Sequence, residues 1–302
     1  MINPRITCCY LFTISKYGYP PPAEKTLDFL DEFKLMGFKS IELEGIHKDH
    51  LNIVYGLRSQ INQKLIALDL EVPYFCAVLP GLSSPDVKTR IMNLELFEKG
   101  CEIASIIGSK GILDNAPLPP YQFPDEIPVT RHYSEKALNL ARFPDDLNWK
   151  RYWEQLIETF RTACDIAAEY NLSYQIHPAL GVLASTADAF LYFHDAVGRD
   201  NLRFNFDTAN QFFLRDNLQL SLRRLADYID YIHLSDNRGY KVEHLPLGEG
   251  IINWESFFET LDLIGYDGFF GIDIGGEESN INNLEASYKH AADFLKTKLK
   301  IK

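Results

Sequence analysis

The sequence predicts an α/β fold, a (β/α)8 TIM barrel, and three observations carry that expectation. Eight short β-rich runs alternate with longer segments of helical apolar spacing, the pattern of parallel βα units. No G-x-G-x-x-G turn follows an early strand, which argues against the competing doubly wound sheet. The last four runs end in polar residues of a single parity, where parallel strands covered on both faces would be almost wholly apolar.

The strands are expected at residues 6–12, 40–44, 70–78, 111–114, 172–177, 202–207, 228–234 and 268–274. Helical spacing marks 23–36, 85–107, 149–170, 186–197, 254–264 and 283–299. Thr186 and Asn253 are placed to cap helix starts, and Gly37, Gly108, Gly198 and Gly265 stand where helices should stop. The 302 residues suit one such barrel with insertions, read as a single domain over 1–302. The rhythm breaks at 116–146, a proline- and aromatic-rich insertion after the fourth strand that contains PLPPYQFPDEIPVTRHY and RFPDD. Its place on the active face predicts a lid, or a contact between subunits of a homo-oligomer.

Composition narrows the partners. Lys plus Arg total 30 against 42 Asp plus Glu, a net charge of −12 that repels phosphate backbones and anionic headgroups. Nucleic acid and membrane are therefore not expected partners, and no apolar run reaches the roughly 20 residues of a membrane span. The N-terminus lacks a basic leader and a cleavage site and reads as a first strand. Five cysteines without C-x-x-C spacing read as reduced, buried thiols of a cytoplasmic protein.

The polar strand ends suggest the chemistry. Gln175 and His177 alternate with Tyr174 and Ile176, Asn205 and Asp207 with Phe204 and Phe206, and His233 and Ser235 with Ile232 and Leu234; Asp273 stands between two isoleucines. Period-two geometry turns one polar set inward at the carboxyl end of each strand. Two carboxylates, an amide oxygen and an imidazole would converge there. Such a set suits one divalent metal: Mn, Mg, Co or Zn.

From YQIHPALG through FNFDTAN, YIHLSDNRG, EHLPLGEGIINW and GYDGFFGIDIG, the second half of the chain resembles the xylose-isomerase-like barrel family of sugar isomerases and epimerases. Gly37-Phe-Lys-Ser-Ile-Glu-Leu extends the likeness to the second strand. The resemblance implies metal ligands Glu, Asp, His and Glu on the fifth to eighth strands, positions held here by Gln175, Asp207, His233 and Asp273. Both glutamates are thus altered, although in the ketose 3-epimerases of that family they also move the substrate proton. Glutamine cannot act as a general base, so a one-base reaction fits better than a two-base epimerisation.

The expected substrate is a small polyhydroxylated compound: a sugar, polyol or keto-sugar. The expected enzyme is a metal-dependent isomerase, epimerase or dehydratase (lyase) working through an enediolate-type intermediate. Asp273, His177 and His244 are the candidate catalytic acids and bases, and Asn210, Asp236, Arg238 and Glu44 the candidate substrate contacts. Glu249 in the G-E-G turn reads as a turn residue. A non-catalytic sugar-binding or regulatory barrel with a degenerate metal site is the alternative. The abasic-site endonuclease branch needs an aspartate where Val242 stands, and a less negative surface.

Overall fold

The computed structural model describes residues 2–127 and 130–299; Pro128 and Val129, two residues of the insertion, lie outside the described residues. Ten strand segments form two five-stranded parallel sheets that close into a (β/α)8 barrel. The strands are Ile6–Cys8, a split second strand (Ser40–Ile41 and Leu43–Ile46), Tyr74–Val78, Gly111–Asn115, Ser173–His177, a split sixth strand (Leu202–Phe204 and Phe206–Asp207), Tyr231–Leu234 and Phe269–Ile272. Both splits are seams. Glu42 N still bonds Cys8 O at 2.9 Å, while Leu43 onward pairs with the third strand. Asn205 N bonds Ile176 O at 3.0 Å, while Phe206 onward pairs with the seventh.

The expected parity is present. Tyr174 packs outward on Phe97 and Phe160, ring centroids 4.8 and 5.9 Å away, and Phe204, Phe206, Ile232, Leu234, Ile272 and Ile274 join the same outer core against the helices. A smaller core fills the barrel itself, where Cys9, Tyr74, Cys76, Leu113 and Tyr231 pack together and the two tyrosine rings stack at 4.5 Å. Gly271 faces this inner core. A Cβ there would meet Cys9 Sγ and Tyr231 Oη at 2.5 Å, so the close approach requires glycine. All five cysteines are buried and unpaired.

Thr186 and Asn253 cap their helices as expected, accepting from Ala189 N and Ser256 N at 3.3 and 3.2 Å. Gly198 and Gly265 close theirs in the left-handed conformation. The largest departures from the sequence expectation are two strand boundaries and one helix. The first strand ends at Cys8, and Leu11–Tyr17 is a helix that buries Leu11, Phe12 and Ile14. The third strand begins only at Tyr74, after Pro73, whose ring removes a ladder donor. The helix His47–Leu68 was not anticipated, because its buried Leu51, Val54, Ile61 and Leu65 are thinly spread among polar residues. Among the described residues, no helix is long and apolar enough to cross a membrane.

Between the fourth strand and the helix Trp149–Glu169, the chain crosses the barrel mouth as a strap. It is tied on one side by Tyr121 Oη donating to Gly181 O (2.9 Å) and Leu183 N donating to Pro117 O (2.8 Å). Its Arg131 then reaches Asp273 beyond the eighth strand.

Candidate active site

The carboxyl ends of the strands gather five donor atoms, all on buried residues. His177 Nε2 lies 3.9 Å from Asp207 Oδ2, which lies 3.9 Å from His244 Nε2. His244 Nε2 is 3.8 Å from Asp273 Oδ2, and that oxygen is 3.8 Å from His233 Nδ1. Register explains part of this convergence, since Asp207 sits opposite His233 in the ladder. Asp207 also caps the short helix Thr208–Phe213, with Oδ1 accepting from Asn210 N at 2.6 Å. Its Oδ2 is left without a hydrogen-bond partner among the described residues, as are His233 Nδ1 and His244 Nε2.

Two of the imidazoles are braced from behind, and the seams supply both braces. Glu42 Oε1 accepts from His233 Nε2 at 2.8 Å and from Tyr231 Oη at 2.6 Å, while Oε2 accepts from Tyr10 N at 3.0 Å. Asn205 Oδ1 lies 2.7 Å from His177 Nδ1. An imidazole that donates one N–H to an outer acceptor presents the other nitrogen's lone pair inward, the usual arrangement of a metal-binding histidine. Two ligands about 2.1 Å from one first-row ion stand roughly 3–3.5 Å apart, slightly closer than these donors. The orphaned, converging O and N atoms therefore fit a divalent metal after a small contraction.

Charge is tuned by the same contacts. Burial opposes protonation of His233, but the Glu42 carboxylate overrides it and pushes the imidazole up to about 9. Burial pulls His177 down to about 4 despite Asp207, keeping it neutral. Burial works against His244 as well, yet Glu278 (3.4 Å from Nδ1) and Asp207 hold it above its ordinary value. Asp273 is also desolvated, but His233 and Arg131 keep it below the usual carboxylate range. Glu44 faces the same cleft and is pushed up to about 8 by burial beside Glu42.

Three of the expected site residues are placed elsewhere. Gln175 lies deeper in the barrel, where its amide donates to Ser173 Oγ (3.1 Å) and Asp230 Oδ2 (3.2 Å); His177, two residues later, reaches the cluster instead. Asp236 is consumed by the fold: Oδ1 accepts from Asn237 N and Ile252 N, and Oδ2 from Gly248 N and Trp254 Nε1, at 2.8–3.1 Å. This explains the G-E-G…W spacing, since a Cβ on Gly250 would lie 2.2 Å from Asp236 Oδ1. Arg238 lines a separate surface depression and pairs with Glu243 at 3.3 Å. Asn210 stays at the site, with Nδ2 donating to Pro178 O (3.0 Å) and lying 3.3 Å from His177 Nε2.

Arg131, His132 and Glu278 were not singled out from the sequence. Arg131 Nη2 lies 3.5 Å from Asp273 Oδ2, and the His132 ring stacks on His244 at 5.5 Å. Their only sequence signal is a basic pair, Arg131-His132, in an otherwise proline- and aromatic-rich insertion. Beneath the strap lies a small adjoining cavity of about 80 Å³, lined by Val78, Leu79, Asn115, Ala179 and Val182.

Residues 30–298 match the family model described as xylose isomerase-like TIM barrel, and the chain belongs to that family. It is 23% identical over 286 residues to L-ribulose-5-phosphate 3-epimerase UlaE of Escherichia coli (strain K12), covering 92% of each chain. Its fold is similar to that of D-psicose 3-epimerase from Clostridium cellulolyticum H10, with TM-score 0.71, 15% identity and 99% of each chain covered. It is also similar to that of the probable 3-DHS dehydratase AsbF from Bacillus anthracis, with TM-score 0.68, 16% identity, and 96% of this chain and 98% of that one covered.

Proposed function

We propose that this member of the xylose isomerase-like barrel family is a metal-dependent enzyme acting on a small polyhydroxylated keto compound, and that its reaction is a β-elimination of water. What carries the reading is the ring of converging donors whose inward atoms, in Asp207, His233 and His244, have no other partner. His177 Nε2, Asp207 Oδ2, His233 Nδ1 and Asp273 Oδ2 would hold the ion. Bound there, a divalent metal supplies Lewis-acid polarisation of a substrate carbonyl, which acidifies the neighbouring C–H.

Asp273 remains ionised beside Arg131 and His233 and is the group suited to take that proton. His244, 3.8 Å away and held above its ordinary value by Glu278, would deliver a proton through Nε2 to the departing hydroxyl. Acid and base are therefore adjacent, which suits removal of H and OH from one side of a substrate. Epimerisation needs a second base on the opposite face, and His177, the group nearest to that role, has Nε2 engaged by Asn210 Nδ2 at 3.3 Å and turned toward Asp207. The likeness to a 3-epimerase over nearly the whole chain favours epimerisation as the second reading.

The test is NMR of protein loaded with Mg²⁺, in D₂O, with a panel of ketoses, inososes and β-hydroxy keto acids. Loss of water with a vinylic product is expected for one of them. Deuterium exchange beside the carbonyl with inverted stereochemistry would select the epimerase. Stoichiometric metal with neither outcome would leave a sugar-binding barrel.

A further inference from the structure

His244 has a second face. Its Nε2 looks toward Asp207 and Asp273, but its Nδ1 looks the other way, into a group formed with His132 of the strap and Glu278 of the loop after the eighth strand. His132 Nε2, His244 Nδ1 and Glu278 Oε1 are all buried atoms without a hydrogen-bond partner among the described residues. Glu278 Oε1 is 3.4 Å from His244 Nδ1, yet the two lack hydrogen-bond geometry. One ligand atom from each of the three residues lies within 4.8 Å of the others, and buried polar atoms without partners are costly unless something else satisfies them.

We propose that His132 Nε2, His244 Nδ1 and Glu278 Oε1 form a second cation site, distinct from the one at Asp207, for a borderline divalent ion such as Zn²⁺ or Co²⁺. Two imidazole nitrogens and a carboxylate oxygen are the donor set such ions take, with a position left for water. The frame is rigid on one side: His244 N donates to Ser279 Oγ at 2.8 Å, and Gly275 N donates to His244 O at 3.0 Å, fixing His244 against the loop that bears Glu278. Burial keeps His132 neutral, and His244 with Arg131 keeps Glu278 ionised, the states in which both ligate.

Arg131 Nη1 lies 3.8 Å from Glu278 Oε1 and makes no hydrogen bond to it, so the guanidinium does not fill the site. With Nδ1 ligated, His244 keeps its proton on Nε2, facing the reaction centre.

The measurement is Co²⁺ uptake by the full chain, followed by equilibrium dialysis and visible absorption. Wild type is expected to bind two ions, His132→Ala and Glu278→Gln one each, and Asp207→Ala one, with the spectrum of the His132 site. One ion in the wild type, lost in Asp207→Ala and retained in the other two variants, would overturn the second site and spare the catalytic centre. One ion lost only in His132→Ala and Glu278→Gln would do the reverse. Two ions that survive both strap-side variants would also overturn the proposal, and no uptake by wild type would overturn both sites. Where an alanine variant fails to fold, His132→Gln or Asp207→Asn takes its place, with the same counts expected.

Discussion

His233 and Asp236 stand three residues apart in one motif and both are buried, yet their surroundings are opposite. His233 has one nitrogen on Glu42 and the other facing an open cleft without a partner. Asp236 has two donors on each oxygen and nothing left to offer. Buried polar groups in folded proteins are almost always satisfied, so the unsatisfied ones mark where a ligand belongs and the satisfied ones mark scaffold. Asp236 and the Gly248–Trp254 turn that it holds are scaffold, and the ring of converging donors, His244 among them, is the site.

That contrast breaks most severely at Asp236. Asp236→Ala would strand four buried donors and should cost roughly 3–5 kcal/mol in chemical denaturation, without changing metal uptake by the folded fraction. A variant of full stability with impaired substrate binding would return Asp236 to the site.

Glu42 tests the ring from behind. Because Glu42 raises His233 to about 9, the pair stabilises the metal-free fold fully below about pH 6.5, and that contribution is lost as pH rises through about 9. Metal-free wild type should therefore lose on the order of 3 kcal/mol across this window. Glu42→Gln should fall less steeply over it than wild type and should bind metal about 10- to 100-fold more weakly. A flat wild-type curve would mean that His233 is neutral in the fold.

The strap sets a smaller effect. Arg131 competes with any cation for Asp273, so Arg131→Ala should tighten Mn²⁺ binding about tenfold, or 1.4 kcal/mol. Calorimetric titration giving unchanged affinity would make the strap a cover only. Arg238→Ala should do least, within about 0.5 kcal/mol in stability and with turnover unchanged, because the Arg238 side chain is exposed and Lys241, 3.6 Å from Glu243, still pairs with that buried carboxylate. A marked rise in KM would move Arg238 into the site.

How much was legible follows from the same physics. Alternation fixes which way a side chain points, so the barrel, the inward parity and the places of Asp207, His233 and Asp273 could be read directly. Depth along the barrel axis is another matter. Gln175 and His177 share a parity, and only the stagger between neighbouring strands, which no single strand encodes, puts the imidazole at the mouth and the amide below. Arg131, His132 and Glu278 lie on loops, where no period exists to reveal direction. Asp236 looked like a substrate contact because its four donors come from residues up to Trp254, and satisfaction of a hydrogen bond leaves no trace in sequence.

The two interrupted strands make the barrel a pair of half-shells joined along opposite edges, and each join carries the brace of one imidazole. Any breathing of one shell against the other must pass through Glu42 and Asn205 before reaching the rest of the mouth. The centre is thereby geared to the cross-section of the whole barrel. Exchange of the Glu42 and Asn205 amide protons would act as a strain gauge for it, slowing when a bound ion clamps the two halves together.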